Sequence, residues 1–93
     1  MISVICPIYN EEKYIAQCID SILAQDYPKD DLEVIFVDGM STDKTREIVA
    51  AYAEKYPFIR LLDNPARIVP PAMNIGIRNA LGETIIRLDA HAI

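Results

Sequence analysis

The chain contains 93 residues, of which 52% are hydrophobic and 25% charged, and it carries a formal net charge of −5. This length predicts one small domain, and the hydrophobic content excludes disorder as a general description of the chain. The acidic balance argues against a nucleic acid as the main partner, because the nucleic-acid backbone is itself strongly anionic.

The first predicted elements are a buried strand and an amphipathic helix. Residues 3–8 form an apolar run, with Pro7 near its end, where a missing N–H does least harm. Asn10 then predicts a helix N-cap, with acidic residues in the first turn. The apolar stripe of this helix is predicted from Ile15, Ile19, Ile22 and Leu23. Cys6 and Cys18 lack CxxC spacing, so we expect reduced structural thiols.

The same alternation continues along the rest of the chain. Residues 32–37 predict a second strand, and residues 41–43 then start a second helix. The inner face of that helix is predicted from Ile48, Val49, Tyr52 and Tyr56. Residues 58–62 predict a third strand, and Pro70 with Pro71 opens a third helix. One side of the third helix is predicted from Met73, Ile77, Ala80 and Leu81.

A fourth strand begins at Thr84, after Gly82 in the left-handed conformation that ends many helices. The alternation predicts an α/β fold with a doubly wound parallel sheet in the order 3-2-1-4. In that order a crevice forms at the carboxyl ends of strands one, two and four. Those ends carry Tyr9, Asp38 and Asp89, so the sequence predicts a ligand site there.

Each candidate residue in the crevice has an ordinary alternative. The Asp38 carboxylate could accept a hydrogen bond from the imide N–H of uracil, or it could hold the turn at Gly39. Tyr9 could stack on a base or pack beside the loop. Glu11 could bond a ribose or complement the helix dipole. Arg67 could reach a phosphate or remain a solvated surface residue.

Asp89 and His91 predict a metal site. Residues two apart in an extended chain point to the same face, and an oxygen with an imidazole nitrogen suits Mn²⁺. The alternative is a polar strand end without a ligand. Such metals often complete their shell with substrate phosphate oxygens, so we expect tight metal binding only with a nucleotide. Arg87 interrupts an apolar strand and predicts an acidic partner nearby.

Four segments together resemble the family 2 glycosyltransferases, which have the GT-A fold. They are residues 4–11 (VICPIYNE), 37–45 (VDGMSTDKT), 72–83 (AMNIG followed by ALGE) and 88–91 (LDAH). The resemblance covers nearly the whole chain. It implies that residues 1–93 are the N-terminal, Rossmann-like half of a GT-A fold, which binds a nucleotide-diphosphate sugar, commonly UDP-linked.

Carried over by position, the resemblance implies particular roles. Pro7, Tyr9 and Glu11 line the nucleotide pocket, with Tyr9 against the base. Asp38 bonds the base, and Arg67 contacts the nucleotide. The family's Asp-x-Asp motif binds the ribose and the diphosphate-chelated Mn²⁺ or Mg²⁺. Its first and last places are taken here by Asp89 and His91.

Two further departures from the family pattern concern acidic residues. Gly39 stands where a second acid is frequent. The catalytic base of inverting members lies well downstream of the Asp-x-Asp motif, so we expect it beyond Ile93, in a chain truncated just after Asp-x-His. We therefore expect this chain alone to transfer no sugar, and sustained transfer to an acceptor would contradict that.

The complete enzyme is expected to transfer a sugar to the hydroxyl of an unknown acceptor with inversion, in the biosynthesis of a cell-envelope polysaccharide or a glycoconjugate. No signal peptide or membrane-spanning run occurs, so we expect a cytoplasmic location, or the inner face of a membrane for a longer protein. Self-association through uncovered apolar surface is also expected. The alternatives are a non-catalytic nucleotide-binding module and a phosphotransferase with Asp38 as nucleophile. A dinucleotide-binding domain is disfavoured because no G-x-G-x-x-G occurs.

Overall fold

A computed structural model describes residues 1–90, except for the side chain of Val69. Strands and helices alternate along this part of the chain. They are β1 (Ile2–Ile8), α1 (Ile15–Leu23), β2 (Leu32–Asp38), α2 (Thr45–Lys55), β3 (Ile59–Asp63), α3 (Val69–Asn79) and β4 (Thr84–Arg87), with a single 3₁₀ turn at Lys29–Asp31. None of these helices is long and apolar enough to cross a membrane. The predicted order of elements is confirmed.

The four strands form one parallel sheet in the order β3-β2-β1-β4, which confirms the predicted topology. Ile8 at the end of β1 pairs with Asp38 at the end of β2, and Asp38 pairs in turn with Asp63 at the end of β3. The carboxyl ends of β1, β2 and β3 therefore lie side by side. On the other side of β1, β4 runs parallel and its last residue, Arg87, pairs with Ile5, so the end of β4 is also directed towards the edge where the crevice was predicted.

Both faces of the two central strands are buried. Cys6, Val34 and Phe36 pack on one face against α1 and α2, whereas Ile5, Ile35 and Val37 lie on the other face with α3. Because successive side chains of a strand point to opposite faces, this two-sided burial produces the continuous apolar runs seen in the sequence. Cys6 and Cys18 are both buried free thiols, as predicted.

The predicted start of the first helix is wrong. Asn10 adopts a left-handed backbone conformation, with φ 49°, and α1 begins only at Ile15. A turn fills the gap, in which the carbonyl of Glu11 accepts hydrogen bonds from the N–H groups of Tyr14 and Ile15 at 2.9 Å. Asn10 does not cap this helix because its side chain binds the backbone of a different loop, at Thr42.

Near α3, Met73 and Ala80 pack against the core as predicted, but the predictions for Ile77, Leu81 and Gly82 are wrong. Ile77 and Leu81 are 50% and 75% exposed, and the helix faces the sheet through the small residues Ala72 and Gly76. A Cβ at Gly76 would lie 2.6 Å from a side-chain carbon of Ile5, so the close approach of helix and sheet selects small residues. No glycine has a positive φ within the described residues, Gly82 included.

The role of Gly82 is instead to allow close packing at the amino ends of the strands. A Cβ on Gly82 would lie 2.5 Å from the carbonyl oxygen of Met1, and its N–H donates to the Ser3 hydroxyl at 2.9 Å. The same hydroxyl donates to the buried carboxylate of Glu33 at 2.6 Å. This contact links the end of α3 to β1 and β2.

Glu33 is the centre of a buried polar network. Its carboxylate also accepts hydrogen bonds from the Leu81 N–H at 2.5 Å and from Arg60 at 2.9 Å. Burial by itself raises the pKa of Glu33, but the hydrogen bonds from Ser3, Leu81 and Arg60 outweigh burial, and the pKa lies below its usual range. The carboxylate is therefore stabilised in its charged form inside the fold.

An apolar groove of about 430 Å³ lies beside β4 on the α1 side of the sheet. Tyr27, Leu32, Ile86 and Leu88 are among its lining residues. All four residues of β4 are exposed, and within the described part of the chain β4 pairs only with β1. This region therefore presents apolar surface and an open strand edge together.

Candidate functional site

A cleft of about 190 Å³ opens at the carboxyl ends of the strands. Pro7, Tyr9 and Glu11 reach it from β1 and the turn that follows. Arg67 reaches it from the loop before α3, and Asp89 from the segment after β4. The structure therefore brings five of the six predicted nucleotide-binding residues to one cleft. The remaining lining residues are Ile8, Val37, Gly39, Asn64, Ile68 and Ala72.

Asp38 is the predicted residue that does not face the cleft. Its neighbours Val37 and Gly39 line the cleft, but its own side chain is fully buried. One carboxylate oxygen accepts a hydrogen bond from the Ser41 hydroxyl at 2.5 Å, and the other accepts from the Ser41 N–H at 2.9 Å and from Arg46 at 2.8 Å. These contacts match the turn-holding alternative, and a contact between Asp38 and a base stays a prediction.

Arg46 is the residue at this site that sequence reasoning missed. Its guanidinium donates to Asp38 at 2.8 Å and to Asp63 at 2.7 Å, and these two carboxylates sit on paired positions of neighbouring strands. Hydrogen bonds with Asp38 and then Asp63 raise the pKa of Arg46. The sequence did contain a signal for this bridge, since β2 ends at Asp38 and β3 ends at Asp63. Two like charges on paired positions of neighbouring strands repel each other, so a cation is expected between them.

The loop that carries Arg67 is held by a buried asparagine. Asn64 donates its N–H to the Asp38 carbonyl at 2.7 Å and its side-chain amide to the Ile68 carbonyl at 2.8 Å. Arg67 adopts a left-handed conformation, with φ 66°. A Cβ at Gly39 would lie 3.3 Å from the Arg67 Cα. The backbone at residue 39 is therefore packed tightly against this loop, which explains a glycine at that position.

The turn after β1 and the loop before α2 support each other. The Asn10 side chain accepts a hydrogen bond from the Thr42 N–H at 2.8 Å, and the Glu11 N–H donates to the Thr45 hydroxyl at 2.7 Å. Asp43 accepts from the Thr45 N–H at 2.9 Å, so it lies at the start of α2 as predicted. These bonds fix the turn from which Tyr9, 44% exposed, and Glu11 reach the cleft.

Asp89 also lines the cleft, and its side chain is 61% exposed. Its carboxylate accepts a hydrogen bond from Arg87 at 3.2 Å. Asp89 is therefore the acidic partner that was predicted for Arg87. His91, the other predicted metal ligand, lies outside the described residues. Between residues 1 and 90 no three His, Cys, Asp or Glu side chains form a metal-binding group. One exposed carboxylate suits a metal whose other ligands are phosphate oxygens and water.

Comparison with known proteins identifies the family. Residues 3–93 match the family described as glycosyl transferase family 2. The chain belongs to this family. A relative from Methanococcus voltae, a dolichyl N-acetyl-alpha-D-glucosaminyl phosphate 3-beta-D-2,3-diacetamido-2,3-dideoxy-beta-D-glucuronosyltransferase, is 43% identical over 93 residues, which cover 98% of this chain and 29% of that protein. This family 2 chain therefore spans less than a third of that relative.

Two solved structures show the same fold. The mannosyltransferase PcManGT from Pyrobaculum calidifontis, in complex with GDP-Man and Mn²⁺, superposes with a TM-score of 0.87 at 40% identity, covering 96% of this chain and 27% of that one. Staphylococcus aureus TarS, in complex with UDP-GlcNAc, superposes with a TM-score of 0.84 at 36% identity, covering 96% and 26%. The family 2 chain is the N-terminal part of a GT-A fold.

Proposed function

We propose that this family 2 chain binds the nucleotide part of a nucleotide-diphosphate sugar in the cleft, as the donor-binding part of an inverting glycosyltransferase. The observation that carries the proposal is the convergence of Pro7, Tyr9, Glu11, Arg67 and Asp89 at one cleft. The solved relatives in complex with UDP-GlcNAc and with GDP-Man and Mn²⁺ support a nucleotide sugar as the ligand. We take a UDP-linked donor as the first candidate.

The size and lining of the cleft suggest how the nucleotide lies. A volume of about 190 Å³ is below the ~300 Å³ of typical small-molecule sites, so the cleft encloses the base and ribose rather than the whole donor. The exposed ring of Tyr9 offers a face for the base, and the Arg67 guanidinium offers donors to a phosphate. The diphosphate then extends towards Asp89.

Asp89, together with His91, would hold Mn²⁺ or Mg²⁺ against the diphosphate. The metal would stabilise the negative charge of the departing nucleoside diphosphate. The net charge of −5 supports this arrangement, because an acidic protein needs a cation to bind an anionic diphosphate. In the complete enzyme, a carboxylate outside this chain would deprotonate the acceptor hydroxyl, in polysaccharide or glycoconjugate biosynthesis.

The phosphotransferase alternative finds no support in the structure. A nucleophilic carboxylate must reach a phosphoryl group, but Asp38 is fully buried and both of its oxygens accept hydrogen bonds from Ser41 or Arg46. The second alternative, a nucleotide-binding module without chemistry, makes the same binding prediction as the main proposal. Sugar transfer by the longer protein that contains this chain separates the two.

Titration of the chain with UDP in the presence of Mn²⁺, followed by calorimetry, tests the proposal. We expect saturable binding by the wild type and a Kd about tenfold higher for Tyr9→Leu, since stacking on an aromatic ring contributes roughly 1–3 kcal/mol per base. Tyr9→Phe keeps the ring and should stay within about twofold. Tyr14→Leu is the matched control, because Tyr14 is similarly exposed but does not line the cleft. Equal affinities for wild type and Tyr9→Leu would refute the proposed stacking.

We also propose that the isolated chain self-associates. The support is the open edge of β4 beside the apolar groove, where Ile85 and Ile86 are 38% and 45% exposed. We expect the weight-average mass in sedimentation equilibrium to rise with concentration, and Ile86→Lys to reduce that rise, because a charge on an exposed edge opposes pairing. A concentration-independent monomer mass for the wild type would contradict this expectation.

A further inference from the structure

We propose that Arg46 is a positioning residue for the nucleotide: by bridging Asp38 and Asp63 it sets the place of Arg67 in the cleft. This inference rests on the proposed function. Arg46 itself does not line the cleft, so it would act only through its neighbours.

The two acids of the bridge are neighbours in sequence of two residues that line the cleft. Asp38 immediately precedes Gly39, and Asp63 immediately precedes Asn64; both Gly39 and Asn64 line the cleft. One guanidinium holds the two acids, at 2.8 and 2.7 Å. The side chain of Asp38 is fully buried, whereas that of Asp63 is 55% exposed. Arg46 therefore joins a buried side chain at the end of β2 to an exposed one at the end of β3, where the loop to α3 begins.

Backbone hydrogen bonds carry this link to Arg67. The Asn64 N–H donates to the Asp38 carbonyl at 2.7 Å, and the Arg67 N–H donates to the Asn64 carbonyl at 3.1 Å. The 3.3 Å separation between a Cβ built at Gly39 and the Arg67 Cα shows how closely the two chain segments approach. A shift of a few tenths of an ångström between the ends of β2 and β3 would therefore move Arg67.

Removal of Arg46 has a predictable electrostatic effect. Asp38 and Asp63 are paired positions on adjacent strands, so their carboxylates would repel each other without the guanidinium between them. The repulsion would separate the strand ends at the point where the loop of Arg67 begins. Even without repulsion, the guanidinium that ties the two side chains together would be missing, so the end of β3 would no longer be held to the buried Asp38. The Arg67 guanidinium makes no hydrogen bond to residues 1–90, so the path of its loop decides where it lies.

A double-mutant cycle on UDP affinity tests the inference. We expect Arg46→Met to raise the Kd about tenfold when Arg67 is present and less than about twofold in the Arg67→Met background, because its effect passes through Arg67. Arg46→Lys, which keeps the charge but not the fork, should restore part of the affinity. Arg78→Met, an exposed arginine on α3, is the matched control and should bind as the wild type does.

A second variant separates an effect on the position of Arg67 from an effect on the stability of the fold. Asp63→Asn combined with Arg46→Met removes the repulsion between carboxylates, so we expect its urea midpoint to return towards that of the wild type while its affinity for UDP stays low. If Arg46→Met alone does not fold, the affinity measurement is made on this double variant instead. Equal losses of affinity in both Arg67 backgrounds, or full recovery of affinity with Asp63→Asn, would overturn the inference.

The outcome for the wild type distinguishes the two proposals. If the wild-type chain shows no saturable binding of UDP with Mn²⁺, the proposed function fails and the inference fails with it. If the wild type binds UDP and Arg46→Met binds equally well, the inference alone is wrong.

Discussion

Replacement of Glu33 by alanine is expected to destabilise the fold by roughly 3–5 kcal/mol, the cost of breaking a buried ion pair on one side. Arg60, the Ser3 hydroxyl and the Leu81 N–H would each lose a partner that now lies within 2.9 Å. A native domain has a free energy of unfolding of about 5–15 kcal/mol. If the wild type lies at the low end of that range, the Glu33→Ala variant should be largely unfolded. Urea unfolding followed by circular dichroism measures the loss.

Two controls assign this loss to the buried network. Glu54→Ala removes an exposed acid on α2 and should change stability by less than about 0.5 kcal/mol. Ser3→Ala removes one donor to Glu33 and should cost about 1 kcal/mol, clearly less than the loss of the carboxylate. If Glu33→Ala is as stable as Glu54→Ala, the network does not hold the fold together.

The pH dependence of Glu33 has a definite sign. Its pKa is lower in the folded chain than the ordinary value of 4.5, because the hydrogen bonds to its carboxylate outweigh burial. A group of this kind stabilises the fold above its unfolded pKa, and that contribution is lost as the pH falls through the folded pKa. The urea midpoint of the wild type should therefore fall more steeply below about pH 4.5 than that of Glu33→Gln.

The second large effect is expected at Asp89. In the presence of Mn²⁺, Asp89→Ala should weaken UDP binding on the order of 10- to 100-fold, the loss seen when even an indirect partner of a bound metal is removed. The reason is the proposed link between the metal and the diphosphate at Asp89, a residue that lines the cleft and whose carboxylate is exposed. Calorimetric titration with UDP at fixed Mn²⁺ measures the change.

Metal removal provides the discriminating control for Asp89. With excess EDTA, wild type and Asp89→Ala should bind UDP with affinities within about threefold of each other, because the metal-dependent part has been removed from both. Arg87→Met tests whether loss of the 3.2 Å ion pair with Arg87 accounts for the effect, and it should retain the response to Mn²⁺. A wild type whose UDP affinity does not respond to Mn²⁺ would refute metal binding at Asp89.

The predicted strands and their order were recovered because their signals are local. Burial on both faces of β1 and β2 makes each a continuous apolar run, and the strong preference for right-handed crossovers restricts the possible topologies. The site followed from the same reasoning, since the polar residues just past strand ends must meet at one edge. Tyr9, Glu11 and Asp89 were placed at this edge in this way, and the structure brings them to the cleft. Their contact with a ligand stays a prediction.

The errors have a different origin, in contacts between residues distant in the sequence. Asn10 resembles a helix cap locally, but its side chain binds the backbone at Thr42, 32 residues away. Ile77 fits the helical spacing of a core residue, yet the close packing of Gly76 on Ile5 turns Ile77 outwards. Local periodicity does not contain this information, because it depends on which surfaces meet.

The amino-acid sequence by itself determined the alternation of strands and helices, because that alternation depends on patterns within a few residues. It also predicted the parallel order of the sheet and the edge at which polar residues gather, because the preference for right-handed crossovers leaves few topologies for such an alternation. Only the tertiary structure decided that Asp38 is buried beneath the cleft, that Arg46 bridges it to Asp63, and that Glu33 joins Ser3, Arg60 and Leu81. These charged groups are satisfied by partners from other elements, and their pairing exists only once the strands lie side by side.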